Sequence, residues 1–72
     1  MAKELRAPMM GKVIEFLVKP GDAVEEDEPV IVLEALKMKM PVGAPVNGKL
    51  EKFCVEVGQD VESDTLLAVI AE

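Results

Sequence analysis

Histidine, tryptophan and tyrosine are absent from the chain, and cysteine occurs once, at Cys54. Without histidine the chain lacks the commonest metal ligand and the commonest general base at neutral pH, which excludes a zinc site and a histidine-based catalytic triad. A lone cysteine excludes an internal disulfide framework and fits a reducing compartment, so a cytoplasmic location is expected. No apolar run approaches the roughly 20 residues that a membrane helix needs, and direct membrane insertion is not expected. The start, Met1 to Arg6, lacks the long apolar core of a secretory signal. Basic residues are outnumbered 8 to 14 by acidic ones, for a net charge of -6, which argues against nucleic acid as a partner. The 72 residues make one small domain, expected over 1–72. That is too little chain for an enzyme with its own substrate cleft. Half of the residues are apolar, too many for a disordered chain, but a domain this short needs an economical topology.

What is present is a duplication. Residues 7–35 align with residues 44–72 without a gap, at a constant offset of 37. Eleven of the 29 pairs are identical, among them Ala7/Ala44, Pro8/Pro45, Gly11/Gly48, Phe16/Phe53, Gly21/Gly58, Val24/Val61 and Asp27/Asp64. A solenoid needs at least three units. Two units predict a closed, pseudo-twofold domain in which each half covers the other's apolar face.

Each half has the same grammar. Ala-Pro opens it, because proline cannot continue a helix and biases its neighbour to extended backbone. A β-rich run follows, Val13 to Val18 and Leu50 to Val55. Gly21 and Gly58 then supply the positive φ of a tight turn. A short segment at Val24 or Val61 precedes an acidic turn, and an apolar strand closes the half, Val30–Leu33 and Leu66–Ile70. Short strands at this spacing predict a small sandwich or barrel. The core candidates Val13, Phe16 and Val18, with Leu50, Phe53 and Val55, are spaced three and then two, where strict alternation is two and two. A β-bulge near residues 14–15 and 51–52 reconciles the pattern. Cys54, the counterpart of Leu17, is expected as a small apolar strand residue.

Leu36 to Gly43 falls outside the repeat, at the middle of the chain. Leu33–Met40 is rich in helix formers, but it is about two turns long and is closed by Pro41. A hairpin with its tip near Leu36-Lys37 is the better reading, with Lys37 projecting from the end. A two-residue turn favours Asn, Asp or Gly, so large apolar residues on both sides of an exposed lysine point to a partner that reads them. Lys39 and the acidic run Glu25–Glu28 are expected to be solvated, the latter as a turn that aids solubility.

These residues carry a resemblance. Glu34-Ala35-Leu36-Lys37-Met38 resembles the Glu-Ala-Met-Lys-Met signature of the biotin carboxyl carrier family, and Ala44-Pro45-Val46-Asn47-Gly48 resembles its Ala-Pro-x-x-Gly. Ala7–Val13 and Val18–Val24 look like the first half of that family's domains. The resemblance implies an all-β flattened barrel of two four-stranded antiparallel sheets, with biotin in amide linkage on Lys37 at one end and the termini at the other. Glu34, Ala35, Leu36 and Met38 would be the flanking recognition residues. The implied partners are a biotin protein ligase that delivers biotinyl-adenylate, a biotin carboxylase, and a carboxyltransferase or decarboxylase. The carrier itself does no chemistry. The chain departs from the family in having Leu36 where methionine is usual and Met10 where proline is common. It also lacks the thumb insertion of some carriers, which would leave biotin less covered by its own domain. A lipoyl domain shares this fold, but its tip typically reads Asp-Lys-Ala. An unmodified interaction module of the same fold is the other alternative.

Overall fold

Eight β-strands and no helix make up residues 2–72, the part of the chain that the computed structural model describes. Met1, the first residue of the expected unit, lies outside them. The strands are β1 (Ala2–Arg6), β2 (Gly11–Phe16), β3 (Ala23–Val24), β4 (Pro29–Ala35), β5 (Met38–Gly43), β6 (Gly48–Phe53), β7 (Asp60–Val61) and β8 (Leu66–Ala71). They form two four-stranded sheets, ordered β1-β8-β6-β3 and β5-β4-β2-β7, and every pairing is antiparallel. This is the flattened two-sheet architecture expected from the sequence.

The two sheets are one arrangement used twice. Adding 37 to each residue number turns β1–β4 into β5–β8 and one strand order into the other. The symmetry reaches beyond the repeat read from the sequence. Strand β1 pairs with β8 as β5 pairs with β4: Lys3 opposes Ile70 where Met40 opposes Leu33, and Leu5 opposes Ala68 where Val42 opposes Ile31. The link segment therefore belongs to the second unit, and β1 is its counterpart in the first. The two share almost no side chains, because both lie at sheet edges and few of their residues face inward: Leu5 in β1, and Val42 with the half-buried Met40 in β5.

The halves are interlocked by exchange. The two-residue strand β3 of the first half pairs with β6 of the second, and β7 of the second pairs with β2 of the first. Turn amides extend the exchange. Gly21 N–H donates to Leu50 O at 2.7 Å, and Gly58 N–H donates to Val13 O at 2.7 Å. Asp27 N–H donates to Ala44 O and Asp64 N–H to Ala7 O, both at 2.8 Å. Neither half can satisfy these backbone groups alone. Gly21 and Gly58 sit at φ 95° and 94°, as their turns require.

Both long strands carry the anticipated bulge. The register of β2 against β4 shifts between Val13 and Glu15, and that of β6 against β8 shifts between Leu50 and Lys52. The shift returns Val13 and Leu50 to the interior, with Phe16 and Phe53 partly buried against them. The two rings stack on each other at 3.7 Å between centroids and 5° between planes. Equivalent residues in face-to-face contact place the pseudo-twofold between them. Around them Val30, Ile31, Leu33, Leu67 and Ile70 are fully buried.

Two expectations need correction. The runs assigned to Val13–Val18 and Leu50–Val55 begin and end two residues earlier, at Gly11–Phe16 and Gly48–Phe53. Their last two residues bend away, because each strand must turn toward the glycine corner. Cys54 lies in that bend, exposed, with its amide bonded to Leu67 O. It is not an inward strand residue, and its counterpart Leu17 is exposed in the same way. The acidic turn, by contrast, is structural as expected. Glu25 N–H donates to Glu28 Oε1, Glu62 N–H donates to Thr65 Oγ1, and Asp27 and Asp64 hold φ near 70°.

Candidate functional site

The hairpin between β4 and β5 closes on the pair Ala35–Met38, leaving Leu36 and Lys37 as a two-residue turn. Both have positive φ, 52° and 65°. Positive φ at both central residues is the type I′ geometry, whose twist matches that of the flanking strands. The usual occupants are Asn and Gly; a leucine and a lysine in left-handed backbone cost about 1–2 kcal/mol each. The ladder from Pro29–Gly43 to Ala35–Met38 enforces the turn from outside.

Leu36 is 92% exposed and Met38 72% exposed, with Lys37 exposed between them. Neither apolar side chain contributes to the core. Glu34 and Ala35 are half-buried in β4. All five residues of the sequence motif therefore lie together at one end of the molecule, with the lysine at the apex. The only ion pair among the described residues, Arg6 to Glu4 at 2.6 Å, is in β1; it leaves the Lys37 amine unengaged. A free primary amine at the apex of a fixed turn, between neutral side chains, fits an amide-linked acyl group.

Beneath the tip runs a feature that the linear sequence conceals. Asp60, Lys12, Glu34 and Lys39 oppose one another in succession across β7, β2, β4 and β5. Opposite positions share a face, so the four charges alternate in sign along one row. The twofold counterpart row reads Ala23, Lys49, Ala71 and Ala2. The charged row exists only at the lysine end. Pairing register was needed to find it, because its members are spread from residue 12 to residue 60. Lys39, read as merely solvated, is its outermost member.

Beside the tip is a groove of about 740 Å³, open to solvent. Leu36 of the turn, Val61 of β7, and Met9 and Met10 of the β1–β2 loop all contribute to its lining. Sequence reading gave none of Met9, Met10 or Val61 a role at the site. The departure from proline at Met10 was the one available signal.

Comparison with known proteins identifies the arrangement. A family model described as "Biotin-requiring enzyme", covering biotin and lipoyl attachment domains, matches residues 3–70. The chain belongs to this family. The biotinyl domain is 53% identical over 38 residues to the biotin carboxyl carrier protein of acetyl-CoA carboxylase from Solanum lycopersicum, covering 53% of this chain and 54% of that protein. It is 54% identical over 35 residues to the human mitochondrial propionyl-CoA carboxylase alpha chain, covering 49% of this chain and 5% of that one. The crystal structure of urea carboxylase from Kluyveromyces lactis superposes with a TM-score of 0.93 at 37% identity, covering 99% of this chain and 6% of that one. The biotinyl domain thus spans about half the length, or far less, of these relatives. With this membership, the biotin carrier function read from the sequence and biotin as the covalent cofactor hold for the domain.

Proposed function

We propose that the Lys37 Nζ is the attachment point of biotin, and that residues 1–72 act as one carrier domain between two active sites. A biotin carboxylase would load a carboxyl group, and a carboxyltransferase or decarboxylase would accept it. The relatives that are carboxylases support carboxylase partners in general. In this reading the chain is not an enzyme. A biotin protein ligase acts on it first. Lys37, deprotonated, attacks the activated acyl carbon; an N–C bond forms, the acyl–adenylate bond breaks, AMP leaves and the amine proton goes to solvent. When bound, biotin supplies the ureido group that carries the carboxyl. The chain's residues hold and present it. The ladder of β4 and β5 fixes the turn, Glu34 and Ala35 anchor it in the sheet, and Leu36 and Met38 give the ligase and the carboxylase an apolar surface to read. A cytoplasmic setting accords with one free, exposed thiol at Cys54.

The observation that carries this reading is the turn itself. Its lysine stands at the apex of a left-handed two-residue turn between two exposed apolar side chains. Tethering makes each encounter with an active site intramolecular, at an effective concentration in the mM range for a short flexible link. The test is the intact mass after incubation with biotin protein ligase, ATP and biotin. The parent chain gains one biotinyl increment and Lys37→Arg gains none, with an unchanged thermal melt. Labelling of the variant would show that another lysine is used. An unlabelled parent chain would overturn the reading.

A further inference from the structure

The two ends of this pseudo-symmetric molecule differ at one place in particular. In the second half, the loop that follows Ala44-Pro45 ends in Val46 and Asn47. The Asn47 Oδ1 accepts a hydrogen bond from the Glu26 amide at 2.6 Å, which ties that loop across the end of its sheet. The equivalent residues at the lysine end are Met9 and Met10. A thioether cannot replace that acceptor at comparable strength, and Met10 is 67% exposed. One end is therefore closed by a polar tie. The other is left as an open groove lined with flexible, polarizable side chains, beside the turn that holds Lys37.

Sheet geometry sets the groove's size. Val61 pairs with Gly11 of β2, and β2 lies between β7 and β4, so Val61 is about two strand spacings, roughly 10 Å, from the end of β4 that leads into Leu36. The volume of about 740 Å³ falls within the roughly 300–1,000 Å³ of small-molecule sites. Its walls are apolar: Met9, Met10, Ala35, Leu36 and Val61. Its polar rim consists of Lys12, a donor, and the carboxylates of Asp60, Glu62 and Glu34, which accept.

We propose that the biotinyl arm of Lys37 folds back into this groove and rests there between visits to its partners. The inference depends on Lys37 being the attachment site. The chemistry of the arm matches the groove. Its acyl chain and thioether ring are apolar and suit the methionine-lined walls. Its ureido group offers one oxygen to Lys12 and two N–H groups to the rim carboxylates. Acylation removes the lysine's charge, so no cation is drawn into an apolar site. Eleven or so bonds between the Lys37 Cα and the ring give a reach of roughly 14 Å at standard covalent dimensions, enough to cross from the turn to Val61. The tether also relaxes the demand on affinity. At an effective concentration of about 1 mM, a groove with an intrinsic Kd of about 1 mM is half occupied. That occupancy covers the ring for much of the time, yet a partner's active site can outcompete it. The methionine loop thus does in part what the absent thumb would do.

The test compares amide and methionine-methyl NMR spectra of the unmodified and the biotinylated chain, with intact mass establishing complete modification. Expected are shift changes at Met9–Lys12 and Asp60–Glu62, and nuclear Overhauser contacts between ring protons and the Met10 methyl. Both are lost in biotinylated Met10→Ser, whose exposed site leaves the rest of the spectrum in place. Changes confined to residues 35–39 in a fully biotinylated sample would overturn the resting site and leave Lys37 as the attachment point. A chain that takes no biotin would overturn the attachment reading, and the resting site with it.

Discussion

Replacing Leu36 by asparagine should make the domain more stable and a poorer substrate for its ligase. Leu36 holds φ at 52° and is 92% exposed, so its side chain adds almost no burial to offset the left-handed backbone. Asparagine is several-fold enriched over other non-glycine residues in that region. A fivefold preference corresponds to about 1 kcal/mol. The ladder that enforces the turn is unchanged by the substitution, so the gain should appear nearly whole in the stability of the fold. For a domain of this size about 1 kcal/mol raises Tm by roughly 4–8 °C. The assay is thermal unfolding by circular dichroism, parent and variant side by side, paired with the initial rate of biotin transfer. A Tm that stays level or falls would refute the strain argument, because it would mean that Leu36 already has a compensating contact. A higher Tm with an undiminished labelling rate would preserve the strain but remove the reason for keeping a leucine there.

Gly58→Val should destabilise the domain by about 1–3 kcal/mol through backbone strain alone, since φ is 94° and a Cβ there meets nothing within 4 Å; urea unfolding midpoints measure it, and an unshifted midpoint would remove the glycine from its turn role. Leu33→Ala, at a wholly buried position of β4, should cost about 2–5 kcal/mol, read from the same titration. Melting temperature should be nearly level from pH 6 to 8. There is no histidine to titrate, and the hydrogen bond that Arg6 donates to the Glu4 carboxylate, together with that carboxylate's charge, raises the Arg6 guanidinium above its ordinary value. A raised pKa adds stability that is fully present below the unfolded value and lost only as pH climbs through the folded one, far above that window. A marked slope between pH 6 and 8 would show a titrating contact that the structure does not contain.

Much of this architecture was legible because turns and interior positions were duplicated together. The glycine corners, the acidic turns and the spacing defect at residues 14–15 and 51–52 each occur twice, so each supports the other's reading. The hairpin was legible from Pro41 and from the β-branched run before it, which outweighed the helix formers of Leu33–Met40. Edge strand β5 was legible through the hairpin and the alternation of Met38, Lys39 and Met40, but its counterpart β1 was not, because only Leu5 of its side chains is buried and selection for packing leaves no other trace there. The error at Cys54 has a similar origin. Its counterpart Leu17 is also apolar, and composition alone does not reveal that both sit where the chain bends outward. At the site, the contiguous motif Glu34–Met38 was readable in one dimension. The row of Asp60, Lys12, Glu34 and Lys39 and the groove of Met9, Met10 and Val61 were not, because they exist only once strands from both halves are paired.

The symmetry also explains why one lysine is singled out. Under the 37-residue offset, the hairpin that joins β4 to β5 corresponds to the place where β8 and β1 lie side by side. There, Ala71 opposes Ala2 as Glu34 opposes Lys39. A duplicated fold would offer two tips, but the second lies where the described chain has its two ends and not a turn. Among the described residues, the β4–β5 tip is where a continuous ladder on both sides of a turn imposes the left-handed geometry on a lysine. The exchange of β3 and β7 between halves then fixes that end to the whole core and not to half of it. The apex can therefore be rigid while everything beyond the Lys37 Cβ swings, and a carrier that must reach two active sites needs both.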